Sequence, residues 1–167
     1  MAVIIDGKKI AAKVREEVRL EVEQLKKQNK QPGLAVILAG DDPASAIYVN
    51  NKAKACESCG IRSEKFLLPG DVTQQELLAL VQKLNEDPAI NGILVQLPLP
   101  RHLNEKEILH AIRPEKDADM LHPFNIGMLA CGESDLGPCT PSGVMRLLSE
   151  YDIPVDGKNC VVVGRML

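Results

Sequence analysis

The chain has 167 residues, a formal net charge of −3 and 45% apolar residues, with two Tyr, two Phe and no Trp. That length allows one domain, or one and a fraction, around an aliphatic core. No basic stripe suits nucleic acid, no apolar stretch reaches the length of a membrane span, and the N-terminus lacks a secretory pattern, so a cytoplasmic protein with neither nucleic acid nor membrane as partner is expected.

Ile10, Val14, Val18 and Leu25 recur at helical spacing among Lys and Glu, which predicts an amphipathic helix over 8–29. Pro32-Gly33 ends the connection. Leu34-Ala-Val-Ile-Leu-Ala39 is a continuous apolar run before Gly40, as in a strand buried on both faces of a parallel sheet. The next helix is predicted from Pro43 to Cys59. Inside it Tyr48 and Lys52 stand four residues apart, so a flat ring and an amine share one helix face. In a chain this poor in aromatics the pair suggests an enzyme acting on a planar heterocycle. A merely solvated lysine is the alternative. Cys56 and Cys59 form a CxxC, but no second CxxC or His pair completes a zinc or redox site, and the five cysteines read as free thiols.

A strand is expected at 61–68. Thr73-Gln-Gln-Glu76 is a capping box opening a helix through Leu84, which Asn85-Glu-Asp-Pro88 stops. Ile90 to Leu97 reads as another apolar strand. Gln96 lies at its carboxyl end, where ligands bind in open α/β sheets. Its amide could bond Lys52 or a ligand, or simply meet solvent. Two X-Pro bonds follow, and a cis bond there would be a positioning device. Asn104-Glu-Lys-Glu107 caps a helix reaching about Ile112. Alternating helices and apolar strands predict an α/β fold with a parallel sheet and crossover helices.

Residues 114–139 read as a long loop containing Pro114, Pro123, Gly127, Gly132, Gly137 and Pro138, a length that suits a functional segment or an inter-domain crossing. Asp117 and Asp119 have no metal-loop spacing around them. A carboxylate can accept two parallel N–H bonds from an amidine-like edge such as that of a pterin or guanine, but ordinary loop aspartates fit equally well. His122 reads as a structural contact, and His102 and His110 as surface residues. Thr140-Pro141 supplies an N-cap and a Pro at the first helical position. Gly157-Lys-Asn-Cys-Val-Val-Val-Gly164 reads as a buried strand ending in glycine, the way a dinucleotide-binding unit begins. The elements that would complete that unit do not follow before Leu167.

Five motifs occur in order: Tyr48-Val-Asn-Asn-Lys52, Val95-Gln96-Leu-Pro-Leu-Pro100, Lys116-Asp-Ala-Asp119, Pro138-Cys-Thr-Pro-Ser-Gly143 and Gly157-Lys-Asn-Cys-Val-Val-Val-Gly164-Arg165. Together they resemble the bifunctional methylenetetrahydrofolate dehydrogenase/cyclohydrolase family along essentially the whole chain. Tyr-x-x-x-Lys alone also occurs in short-chain dehydrogenases, but their glycine-rich loop lies upstream of the Tyr, and none precedes Tyr48. The resemblance implies two α/β lobes flanking a cleft, usually in a homodimer. Residues 1–139 would bind tetrahydrofolate derivatives, and 140–167 would begin a Rossmann-type NADP domain that is incomplete here. It implies oxidation of methylenetetrahydrofolate by NADP, then hydrolysis of the methenyl cation to 10-formyltetrahydrofolate. Lys52 would be the catalytic lysine, Gln96 its hydrogen-bond partner, Tyr48 the ring stacked on folate and Asp119 the pterin anchor. Ser45 matches a further substrate-binding position. Gly164, Arg165 and Thr140 match the cofactor side.

Two departures from the family accompany the match. Gly usually follows the second Asp of Lys-Asp-x-Asp, where this chain has Met120-Leu121. Ser and a glycine-containing turn usually follow Gly-Arg, where this chain has Met166-Leu167. The expectation is therefore that the chain as it stands lacks a complete NADP site. An isolated folate-binding or cyclohydrolase lobe, and a non-catalytic interaction module on the same fold, are the alternatives.

Overall fold

A computed structural model describes residues 4–163. The apolar run becomes the central strand β1 (Gly33–Ala39), flanked by β2 (Arg62–Leu68) and β3 (Gly92–Val95). Both neighbours run parallel to it, in the order β2-β1-β3. Successive side chains of a strand face opposite ways, and β1 divides accordingly. Ala35, Ile37 and Ala39 join Ile93 and Val95 under the helices α3 (Gln74–Glu86) and α4 (Glu105–Ala111). Val36 and Leu38 join Leu94 and Val49 under the helix α2 (Pro43–Cys59). Burying a side chain such as Ile37 or Ile93 completely contributes roughly 1.5–3 kcal/mol, so two layers of helix on one short sheet suffice for a core.

Local chemistry sets the element ends. The helix α1 (Gly7–Lys27) is capped by Asp6, whose carboxylate accepts from the backbone N–H groups of Lys8 and Lys9. It stops two residues earlier than its periodicity predicts, because Asn29 turns left-handed at φ +58°. Asp42 caps α2 and Pro43 opens it, while Gly60 closes it at φ +76°. The Thr73/Glu76 capping box forms in full, and α3 continues two residues past Leu84. Asn104 caps α4.

Three expectations are corrected. Residues 114–139 are not one loop: Pro114–Lys116 form a 3-10 turn and Pro123–Ala130 a helix, α5. Pro123 occupies the first helical position, where its missing N–H costs nothing, and His122 Nδ1 caps the turn by accepting from Phe124 N at 3.1 Å. The last helix, α6 (Cys139–Glu150), starts one residue before Thr140; Pro138 takes the cap position, and no side chain caps the end. Residues 157–163 form no strand, and Val161, Val162 and Val163 are exposed. A strand exists only as a paired ladder, and no described strand lies beside this segment to accept it.

The helix α6 lies against α1. Arg146 reaches Glu17 and Glu150 at 2.7 Å, Lys13 reaches Glu150 at 2.7 Å, and Tyr151 Oη accepts from Asp6 N at 2.7 Å. Exposed pairs of this kind are individually weak; here they tie the carboxyl-terminal half of α6 to α1.

Candidate functional site

The site is built at the carboxyl edge of the sheet. Gln96 N donates to Ile37 O at 2.9 Å, extending the β1–β3 ladder by one residue. Pro98 has no N–H to continue it, and the Leu97–Pro98 bond is cis. The half-buried Gln96 side chain is held at both ends. Its Nε2 donates to Leu97 O at 2.7 Å, and its Oε1 accepts from Lys52 Nζ at 3.0 Å. Lys52 and Gln96 are 44 residues apart, joined because α2 packs Val49 onto the sheet while β3 ends beside it.

Tyr48 lies one turn before Lys52 on α2 and is 61% exposed. A large ring left in water next to the amine is available to another flat surface. Ser45 is buried at the start of the same helix, and its N–H donates to Asp42 Oδ2 at 2.7 Å. That bond holds the Asp42 carboxyl below the usual carboxylate range.

Asp119 follows the 3-10 turn. Burial pushes its pKa up, the Lys52 ammonium opposes that rise, and Asp117 adds to it. Lys52 thus has Gln96 as a bonded neighbour and Asp119 within electrostatic reach. Asp117 behaves differently from Asp119. It is buried, and its Oδ2 accepts from His122 N at 2.7 Å and Asn125 Nδ2 at 3.1 Å. Met120, where the resembled family has Gly, sits at φ +57°. A residue with a Cβ is disfavoured in that region by roughly 1–2 kcal/mol, which accounts physically for a Gly preference there.

Sequence reading did not single out two neighbours. Cys139 Sγ lies 3.6 Å from Ala118 O and 3.9 Å from Asp119 Oδ1. Burial and the Asp119 charge raise its thiol pKa, so it is not an activated nucleophile. Its only sequence signal was membership of the Pro138-Cys-Thr-Pro motif. Asn125 gave none beyond being a lone polar residue in an apolar octet. Thr140 is exposed beside Cys139 at the start of α6. Gly164 and Arg165 lie outside the described residues. Among the described residues no strand-turn-helix unit follows α6, so they offer no cradle that fits a dinucleotide. Among them, too, no cluster of three metal-ligating side chains occurs, and no helix is long and apolar enough to cross a membrane.

This arrangement can be set beside known proteins. The sequence model described as "Tetrahydrofolate dehydrogenase/cyclohydrolase, catalytic domain" matches residues 5–119. The bifunctional protein FolD of Acetivibrio thermocellus is 52% identical over 98% of this chain and 58% of its own length. That of Methanosarcina mazei is 57% identical over 96% of this chain and 56% of its own. The chain thus spans little more than half the length of these relatives. The solved bifunctional enzyme FolD of Campylobacter jejuni, a methylenetetrahydrofolate dehydrogenase/cyclohydrolase, superposes with a TM-score of 0.88 at 51% identity, covering 90% of this chain and 54% of that one. The Trypanosoma brucei enzyme, solved with NADP cofactor and inhibitor, gives a TM-score of 0.89 at 42% identity, covering 94% and 54%. With the family model aligned across every element from α1 to Asp119, this chain belongs to the tetrahydrofolate dehydrogenase/cyclohydrolase family.

Proposed function

We propose that this chain supplies the folate-binding lobe of an enzyme of one-carbon metabolism. The enzyme as a whole would oxidise 5,10-methylenetetrahydrofolate with NADP and hydrolyse the methenyl product to 10-formyltetrahydrofolate. Residues 1–139 form the folate lobe in this reading, and 140–167 lead into the cofactor domain, whose bound NADP would accept the hydride. A cytoplasmic homodimer, feeding formyl groups toward purine biosynthesis, is the natural setting. The observation that carries the reading is the bond from Lys52 Nζ to Gln96 Oε1 at 3.0 Å, beside an exposed Tyr48 and a partly buried Asp119.

Each residue then has a task. Tyr48 gives the pterin a face to stack on. Asp119 accepts paired N–H bonds from its amidine-like edge, as a carboxylate does from guanidinium. Ser45, buried at the start of the helix that presents both Tyr48 and Lys52, is assigned to substrate binding. In hydrolysis, water adds to the cationic one-carbon bridge and one carbon–nitrogen bond breaks; one of the water's protons passes to the released nitrogen and the other leaves to solvent, so that the oxygen becomes the formyl carbonyl. That is general acid–base work. Lys52 is the proton carrier in this reading, and Gln96, bonded to its Nζ at 3.0 Å, holds it in line. Thr140, Gly164 and Arg165 are assigned to the cofactor side.

A narrower reading is cyclohydrolase activity in this lobe alone, favoured because Tyr48, Lys52, Gln96 and Asp119 all belong to the one lobe. The same experiment serves both. The unaltered chain should accelerate the absorbance decay of methenyltetrahydrofolate, and Lys52→Met should slow it by about 100-fold or more. In a full-length relative the matching change should leave some dehydrogenase activity. Decay no faster than in buffer for the unaltered chain would remove the hydrolytic assignment.

A further inference from the structure

In Lys116-Asp-Ala-Asp119 every residue except the last is tethered to the fold. Lys116 Nζ donates to Leu84 O at 3.0 Å and to Asp87 O at 2.8 Å, the carbonyls at the end of α3. Asp117 forms a parallel bridge with Ile93 of β3, and Ala118 N donates to Ile93 O at 3.2 Å. Asp117 is 7% exposed and Asn125 8%. One oxygen, Asp117 Oδ2, accepts from both His122 N and Asn125 Nδ2, and Asn125 Nδ2 also reaches Pro114 O at 2.9 Å. A buried carboxylate with neutral partners is an expensive way to fill space. What it gains is geometry. The bond to His122 N closes the short loop that carries Asp119, and Asn125 locks that closure to the first turn of α5 and to the 3-10 turn.

We propose that Asp117 and Asn125 are positioning residues that aim the Asp119 carboxylate at its ligand. The inference rests on the proposed folate role of Asp119. Asp117 contributes an acceptor oxygen, not a charge to the substrate, and Asn125 contributes the second anchor of the loop.

Two measurements test this. The first is affinity for methenyltetrahydrofolate, well below each variant's melting temperature. Asp117→Ala should weaken it about tenfold, the usual scale for losing a buried hydrogen-bond partner. Asp117→Asn should stay within about threefold, since an amide oxygen can accept both N–H bonds. Adding Asp117→Ala to Asp119→Ala should cost nothing further, because one acts through the other. An Asp117→Asn loss as large as that of Asp117→Ala, or full additivity in the double variant, would overturn the proposal.

The second measurement needs no folate. Cys139 lies against Asp119 Oδ1, so its titration, read by peptide-resolved alkylation across pH, reports where Asp119 stands. Asp117→Ala and Asp117→Asn both lack the charge at 117. Cys139 should nonetheless titrate lower in Asp117→Ala, where Asp119 has swung away. If Asp117→Ala does not fold, Asn125→Ala keeps both carboxylates and should lower the Cys139 titration in the same direction. Unchanged titration defeats the positioning role even if folate binds. A shifted titration without folate binding to the unaltered chain defeats the folate reading alone.

Discussion

At the scale of single residues, the site is built from groups that cost stability. Burial raises the Asp119 pKa despite the nearby Lys52 ammonium. The folded chain therefore holds that proton more tightly than the unfolded one. Stability from this group is full below the ordinary aspartate range and is lost as pH rises through the raised folded value. Asp119→Asn should then melt higher than the unaltered chain at pH 7, with the gap narrowing on acidification, while folate affinity falls. Thermal melts at both pH values check the sign, and a lower melting temperature at pH 7 would refute it. Met120, next in sequence, adds backbone strain at φ +57°. Strain and unfavourable burial side by side are what a presented functional group leaves behind. Tyr48 and Lys52 were legible as a pair from helix-face spacing and Gln96 as a strand-end amide, while its bond to Lys52 stood among open alternatives until the resemblance implied it. The division of labour between Asp117 and Asp119 was not, because it depends on which carboxylate the tertiary contacts of α5 bury.

At the scale of elements, β1 and β3 aim the amide partner of the lysine, and their registry depends on one close approach. A Cβ on Gly33 would stand 2.1 Å from Ala89 O, a backbone atom that cannot swing aside. The same glycine exchanges bonds with Asn91, accepting from its N at 2.8 Å and donating to its Oδ1 at 2.9 Å. Gly33→Ala must therefore push the 89–92 turn off the head of β1. A loss of about 1–3 kcal/mol, as for overpacked interiors, is the expected minimum, measured by urea denaturation; an unchanged midpoint would mean the turn yields freely. Caps and apolar runs made most elements readable. The helix α5 escaped because Pro123 and Gly127 look like breakers, although a proline at the first turn does not break a helix. Over its described residues, 157–163, the expected strand does not form, for the opposite reason: its β-branched composition was right, but ladder partners are not encoded in the strand itself.

At the scale of the whole molecule, the parallel sheet with helices on both faces follows from alternating apolar runs and helical periods, and the family's shared architecture agrees with it. Sequence could not show that α6 would lie on α1, since charges at Lys13, Glu17, Arg146 and Glu150 read equally well as solvated surface. The valines past α6 carry a practical consequence. Val161, Val162 and Val163 are 86%, 79% and 94% exposed. Three consecutive β-branched side chains facing water make a sticky apolar patch on which a second molecule can settle. Light scattering of the chain should rise with concentration and time, and Val162→Lys should suppress it; equal scattering from both would exonerate the segment. Solubility in the test tube, on this account, is limited by three methyl-rich residues.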